Sequence, residues 1–297
     1  MFKHLLSAPS RPGRVLILGG KGFISTELRC LLAEAGIATV SVGSQEVNLL
    51  AADAQARLAA FIQPDDAVVM TSALTPDKGR DVATFMKNLT MVQHVTQALA
   101  EAKCAHFVYL SSDAVFSDNH SLVNEQTPMT GAGLYGLMHV ARELMLQTAL
   151  APLKIPLCIL RPCAVYGAAD THNSYGPNRF LRLALRKEKI TLFGNGEEER
   201  DHLYVRDLVR VIKLSLEHRT EGALNVASGT AVSFHEIVRL AMQFASMEGH
   251  LECLPRSSPI THKHFDNALL QRAFPGFEFT PLETGLKEAS QELSGTD

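Results

Sequence analysis

Tyr135 is the side chain best suited to move a proton, with Ser112 upstream of it and His139 four residues on. A tyrosine phenol can pass a proton to or from a carbonyl or alcohol oxygen. Its free pKa is about 10, so ionisation near pH 7 needs roughly three units of depression, or about 4 kcal/mol. A unit charge about 4 Å away supplies roughly that much at an effective dielectric of about 20. His139 lies one helical turn after Tyr135 on the same face. Ser112 follows an apolar run and can hold a reacting oxygen.

A second constellation lies near the start of the chain, V-L-I-L-G-G-K-G-F-I-S over residues 15–25. Four apolar residues read as a buried strand, the glycines as a tight turn, and Phe23 onward as a helix. Such a turn lets backbone N–H groups approach a pyrophosphate, and the helix N-terminus adds positive potential. Gly19 and Gly22 keep the usual spacing, and Ser25 stands where a third glycine is usual. The cofactor implied is NAD or NADP. At the end of the second strand an acid would select NAD, but Gly43 and Ser44 stand there. Lys21 could neutralise a 2′-phosphate and Ser44 could donate to it, a slight lean to NADP; otherwise Lys21 is a solvated loop residue. Asn48 could bond the adenine or cap a turn. Phe23 and Ile24 in the first helix, Ser72 and Ala73 past the third strand, and Asn88 in the long helix complete the expected cofactor contacts, with Tyr135 and His139.

These groups need a scaffold that gathers strand ends. The pattern predicts strands at 15–18, 38–42, 67–70, 106–110, 157–160 and 223–226. Helices are predicted at 26–35, 54–61, 81–102, 135–149, 178–187 and 233–247. Strand–helix alternation implies a parallel sheet covered on both faces, with ligands at the carboxyl ends of the strands. Those ends carry Gly19, Gly43, Thr71, Ser111 and Arg161. The expected fold is α/β, a Rossmann-like doubly wound parallel sheet with a smaller C-terminal substrate lobe. Residues 1–167 form the dinucleotide domain, its sheet completed by about 203–228. Residues 168–202 and 229–297 form the lobe.

The bulk numbers narrow the classes. The chain has 297 residues, 46% hydrophobic and 20% charged, with a net charge of −3. That length supports one large or two intimate domains, and that charge offers no general attraction to nucleic acid or anionic membrane. No apolar run reaches the roughly 20 residues of a membrane span. Five scattered cysteines without a CxxC pair suggest neither a disulfide framework nor a zinc-cysteine site. The histidines, His262 and His264 included, are assigned no metal. A cytoplasmic location is the expectation.

Several segments together carry a family resemblance: G-G-K-G-F-I-S (19–25), F-V-Y-L-S-S-D-A-V-F (107–116), Y-G-L-M-H (135–139), R-P-C-A-V-Y-G (161–167), F-G-N-G-E-E-E-R-D-H-L-Y-V-R-D-L (193–208) and L-N-V-A-S-G (224–229). In this order they resemble the extended short-chain dehydrogenase/reductase family, in its nucleotide-sugar epimerase/dehydratase branch. The resemblance implies a Ser/Thr–Tyr–Lys active site, with Ser112 and Tyr135 at the first two positions. His139 stands where the family has lysine. Three outcomes follow: a protonated His139 serves in place, a lysine from elsewhere substitutes, or the protein binds cofactor without redox catalysis. Asp113 is retained from the dehydratase pattern, but Ala114 replaces the following glutamate, which disfavours dehydration. The resemblance also implies a nucleotide-sugar substrate, whose phosphates Arg200 would meet with its guanidinium fork. Asn178 and Arg179 open a helix and could also meet phosphate. Asp113 is taken as a substrate contact. An epimerase is the leading expectation, with a keto-sugar reductase as the alternative, and a homodimer through helices 81–102 and 135–149.

Overall fold

The computed structural model describes residues 2–174 and 176–295. Met1, Thr296 and Asp297, at the limits of the expected domains, lie outside them. Six parallel strands form the main sheet: β1 (Arg14–Leu18), β2 (Ala38–Val42), β3 (Asp66–Met70), β4 (His106–Leu110), β5 (Leu157–Pro162) and β6 (Thr220–Val226). Their order across the sheet is β2-β1-β3-β4-β5-β6. A short N-terminal strand, Lys3–His4, adds antiparallel to the outer edge of β6. It is too short for any apolar period to announce it.

The apolar runs in these strands are continuous because both faces are covered. Alternate residues separate into two cores. Val15, Ile17, Val69 and Val108 pack to one side, against α1 (Phe23–Glu34) and, through Leu208 and Ile212, the helix Val205–Glu217. Leu16, Leu18, Val68, Met70, Phe107 and Tyr109 pack to the other. There they meet α2 (Ala54–Ala59), α3 (Val82–Glu101) and α4 (Gly133–Leu150). The expected scaffold is therefore present, with helix bounds shifted by a few residues.

The smaller lobe has its own core. Phe180 and Leu181 of α5 (Pro177–Leu185) bury against Tyr166, Leu192 and Tyr204. Phe234, Ile237 and Val238 of the helix Phe234–Phe244 join them, as does Leu286 of the final helix, Leu282–Ser294. The strand Glu199–Tyr204 lies between Ala164–Tyr166 and Ala231–Ser233. Phe265, Leu270, Phe274 and Phe277 bury with the main sheet's core, so the chain returns there after the lobe. Those aromatics are spaced too irregularly to reveal which core they join.

A buried ion pair lies within this fold. Arg161 donates to both Glu143 carboxylate oxygens, at 3.0 and 2.7 Å, and Ser111 Oγ donates to Glu143 at 2.5 Å. Both members of the ion pair are almost fully buried. Glu143→Ala should leave Arg161 charged and unmatched, costing about 3–5 kcal/mol in urea unfolding. The double variant Glu143→Gln/Arg161→Met should recover most of that loss.

Three histidines are buried and held neutral. Burial pushes His106 down to about 4, despite its 2.8 Å bond to the Thr220 carbonyl. Burial, helped by Arg142, brings His139 to about 3. Burial and Arg200 bring His202 to about 3. The unfolded chain therefore takes up protons that the folded one refuses, below the free histidine pKa of about 6.5. Stability should be fully present above that value and fall as pH drops, each histidine removing about 2 kcal/mol by pH 5. Urea denaturation at pH 7 and pH 5 measures this. An unchanged unfolding free energy would show that these rings are not neutral in the fold.

Candidate active site

A cleft of about 730 Å³ runs along the carboxyl ends of the strands. At one end is the glycine turn. Gly19 has φ +98°, and a Cβ there would stand 2.8 Å from Thr71 Oγ1 and 2.9 Å from the Ser72 nitrogen. Only glycine fits that conformation and space. Ser25 is buried beneath the turn, its Oγ donating to the Gly19 carbonyl at 2.9 Å and lying 2.7 Å from Thr71 Oγ1. The hydroxyl thus ties the turn to β3, which a glycine could not do. Gly22, Phe23 and Ile24 line the cleft beside it.

Next to the turn, Lys21, Ser44 and Asn48 also line the cleft. Lys21 Nζ donates to Gln45 Oε1 at 2.5 Å on the exposed rim. Asn48 Oδ1 accepts from the Leu50 N–H at 3.1 Å, so part of its capacity braces a turn. One group here was absent from the sequence reading. Glu46 accepts the Gly43 N–H at 2.8 Å, placing a carboxylate at the end of β2 after all. It comes three residues late and arrives by folding back, which spacing alone does not show. The Gly43 N–H bond, with Lys21 assisting, holds its pKa below the usual carboxylate range.

Ser72 and Ala73 line the middle of the cleft. Asn88 does not. Its amide accepts from the Leu74 N–H at 2.9 Å and donates to the carbonyls of Leu74 and Thr84. It is spent on bracing the 72–75 loop and lines a neighbouring cavity.

At the far end stand Ser112, Asp113, Tyr135 and His139. Ser112 is the N-cap of a single 3-10 turn and accepts from the Ala114 N–H at 3.1 Å. Helix α4 approaches that turn at Gly136, where any Cβ would collide with the Ala114 carbonyl. This glycine, one residue after Tyr135, lets the phenol lie close to the Ser112 turn. The Tyr135 and His139 rings meet edge to face, 4.8 Å between centroids. His139 Nδ1 lies 2.7 Å from Tyr109 Oη. Tyr109 is pushed up to about 12 by burial, so it keeps its proton. With that proton donated to Nδ1, the neutral ring carries its hydrogen on Nε2, which is buried with no protein partner.

Of the three outcomes open for His139, this setting disfavours a protonated ring. The two lysines that line the cleft, Lys21 and Lys78, are exposed on the rim. Arg142, one turn after His139 and fully buried, is a fixed cation whose charge acts on both Tyr135 and His139. It donates to the carbonyls of Asn88 (3.1 Å) and Ser72 (3.0 Å), and its guanidinium sits 5.8 Å from the Tyr109 ring centre. The i+3 spacing from His139 was a signal available in the sequence. Burial nonetheless raises the Tyr135 pKa, as do Tyr109 and Asp113, against the opposing pull of Arg142 and Ser112.

The remaining substrate residues divide. Asp113 faces the buried amine of Lys263 at 3.8 Å, a contact with no sequence signal across 150 residues. Burial raises its pKa, with Lys263 opposing. Arg200 lies on this side, donating to the carbonyls of Glu199 and Thr261 and to Thr261 Oγ1. Asn178 is buried and used up: it accepts from the Gly167 N–H at 3.0 Å and donates to Asp170 at 2.5 Å. Arg179 is exposed, and neither it nor Asn178 lines the cleft. No metal ligands were expected, yet Glu199, His262 and His264 converge, with ligand atoms within 4.8 Å of one another.

Two observations test the cleft against a dinucleotide. The Gly19 cradle is a space that a side chain would fill, and His139 Nε2 and Ser72 Oγ are buried polar atoms without protein partners. Both fit a ligand rich in hydroxyl and phosphate oxygens.

Comparison with known proteins agrees. Residues 15–227 match the family model described as the NAD dependent epimerase/dehydratase family. The chain is 26% identical over 155 residues to an uncharacterised UDP-glucose epimerase of Bacillus subtilis (strain 168), covering 52% of this chain and 49% of that one. It is 24% identical to the ADP-L-glycero-D-manno-heptose-6-epimerase of Alkalilimnicola ehrlichii, over 92% of this chain and 95% of that one. The first match spans about half the relative's length. Among solved structures, a GDP-L-fucose synthetase from Naegleria fowleri superposes with a TM-score of 0.86 at 16% identity, over 99% and 97% of the two chains. The UDP-glucose 4-epimerase of Thermotoga maritima gives 0.85 at 19% identity, over 95% and 99%. Among the described residues, no helix is long and apolar enough to cross a membrane. The chain belongs to the NAD-dependent epimerase/dehydratase family, in the extended short-chain dehydrogenase/reductase branch.

Proposed function

We propose that this chain reduces a keto group on a nucleotide-activated sugar with NADPH, using Tyr135 as proton donor. The observation that carries this reading is the packing of Tyr135 on buried His139, whose Nδ1 meets Tyr109 Oη, with no cation between them. Tyr135 is raised by burial, and its helical neighbour His139 is neutral. A phenol so held is protonated at neutral pH, so at the start of a reduction it has a proton to give to an oxygen that is gaining negative charge, though as a weaker acid than a free phenol. The nicotinamide, when bound, supplies the hydride to the sugar carbon. Ser112 holds the reacting oxygen, and Tyr135 protonates it. His139 Nε2–H donates to a cofactor ribose hydroxyl, the role a lysine has in the family. Arg142 holds the Ser72 carbonyl and tempers the Tyr135 pKa.

Lys21 and Ser44 take the 2′-phosphate, with Glu46 partly offsetting the lysine. Asp113 and Arg200 face the substrate, and Arg200 must release the Thr261 carbonyl to grip a diphosphate. Exposed Val82, Met86, Leu137 and Leu144 on α3 and α4 offer an apolar face for a second copy of the chain. Epimerisation is the second reading, favoured by the full-length match to a heptose epimerase. The same residues would act twice, with no net loss of NADPH.

Incubation with NADPH and nucleotide-linked keto sugars separates these. Reduction consumes cofactor stoichiometrically; epimerisation interconverts sugars without consuming it; neither event leaves a protein that only binds. Tyr135→Phe should lower kcat by about 100-fold or more. Unchanged turnover in that variant would remove Tyr135 from proton transfer. His139→Lys should retain or raise turnover and move the alkaline fall in reductive kcat to lower pH, because an added cation favours the phenolate. Lys21→Ala should weaken NADPH binding about fivefold while leaving NADH nearly unchanged. Calorimetry with both cofactors reads the difference, and equal weakening would place Lys21 away from the 2′-position.

A further inference from the structure

We propose that Glu199, His262 and His264 bind one divalent transition-metal cation, with zinc the best match, on the outside of the lobe and separate from the cofactor cleft. Glu199 Oε2 lies 3.2 Å from His264 Nε2 and 3.6 Å from His262 Nδ1. Ligands around a tetrahedral zinc at about 2.0–2.1 Å stand roughly 3.3 Å apart. The two Glu199 distances are close to that spacing, and all three ligand atoms lie within 4.8 Å of one another. Two imidazoles and a carboxylate are a zinc donor set that leaves one position for water. Imidazole nitrogen also disfavours magnesium and calcium, which prefer all-oxygen shells.

The ligands are held by backbone. Glu199 opens the strand Glu199–Tyr204, paired on both sides. His264 opens a short strand paired with Leu122–Val123. Arg200 and Lys263 form a bridge between the two segments. All three ligand side chains are about two-fifths exposed, so an ion can reach them without unfolding. The Glu199 N–H lies 3.3 Å from His262 Nδ1, a long hydrogen bond that metal ligation would replace.

The residue between the two histidines points the other way. Lys263 is buried, its amine 3.3 Å from Asp118 and 3.8 Å from Asp113 in the cleft wall. An ion on the outer face would clamp the segment whose inner face meets Asp113.

Metal binding tests this without any turnover. Untagged full-length protein is stripped with a chelator, its exposed Cys30 and Cys253 alkylated. It is then titrated with zinc in competition with a chromophoric chelator. The wild type should take up about one equivalent, and His262→Ala/His264→Ala should lose it. Glu199→Gln should bind at least tenfold more weakly. One equivalent of zinc should also raise the thermal midpoint of the wild type and leave that of Glu199→Gln unchanged. No uptake by the wild type, or equal uptake by wild type and double variant, overturns the proposal.

Discussion

A parallel sheet buried on both faces confines polar chemistry to its strand ends. Six adjacent strands place Gly19, Gly43, Thr71 and Ser111 on one edge of the sheet. The interior beneath that edge is apolar and costly for a lone charge. The ion pair Glu143–Arg161 shows the condition for entry, since each charge is matched and hydrogen-bonded. His139 meets the same condition differently. Placed under the cleft with a phenol for a partner, it gives up its charge.

Helix α4 carries this balance. Tyr135, His139, Arg142 and Glu143 share its inner side, and each answers to a different neighbour. Gly136 admits the helix to the Ser112 turn, and Arg142 reaches across to the loop after β3. The buried cation on this side of the helix is Arg142, one turn beyond His139 and bonded to the Asn88 and Ser72 carbonyls. With His139 neutral and burial raising its own pKa, Tyr135 holds its proton at rest. It is why a reductive reading rises over the epimerase that the motifs alone suggested.

Much of the fold was legible because its signals are local. Apolar runs, the glycine turn and the amphipathic helices are written within a dozen residues each, and the strands and helices they announced are present within a few residues. The cleft residues at the strand ends followed from the same logic. The contacts that spacing did not show share one physical cause. Asn88 and Asn178 look like ligand contacts by type, but both amides are consumed by nearby backbone or side-chain groups. Glu46 folds back onto Gly43, and Phe274 joins the main core from the far end of the chain. These pairings depend on where loops return, which periodicity does not encode.

The sequence by itself determined the sheet, its strand-end cleft, the dinucleotide turn and the family, because periodicity, glycine sterics and ordered motifs are properties of the linear chain. Only the tertiary structure decided the charge state of the site. Whether a histidine is protonated depends on its desolvation and on the groups around it. His139 owes its neutrality to burial and to the neighbouring charge of Arg142, and Tyr109, 30 residues away, sets which ring nitrogen carries the hydrogen. The pairing of Lys263 with Asp113, and of Glu199 with His262 and His264, likewise exists only once distant segments share one surface.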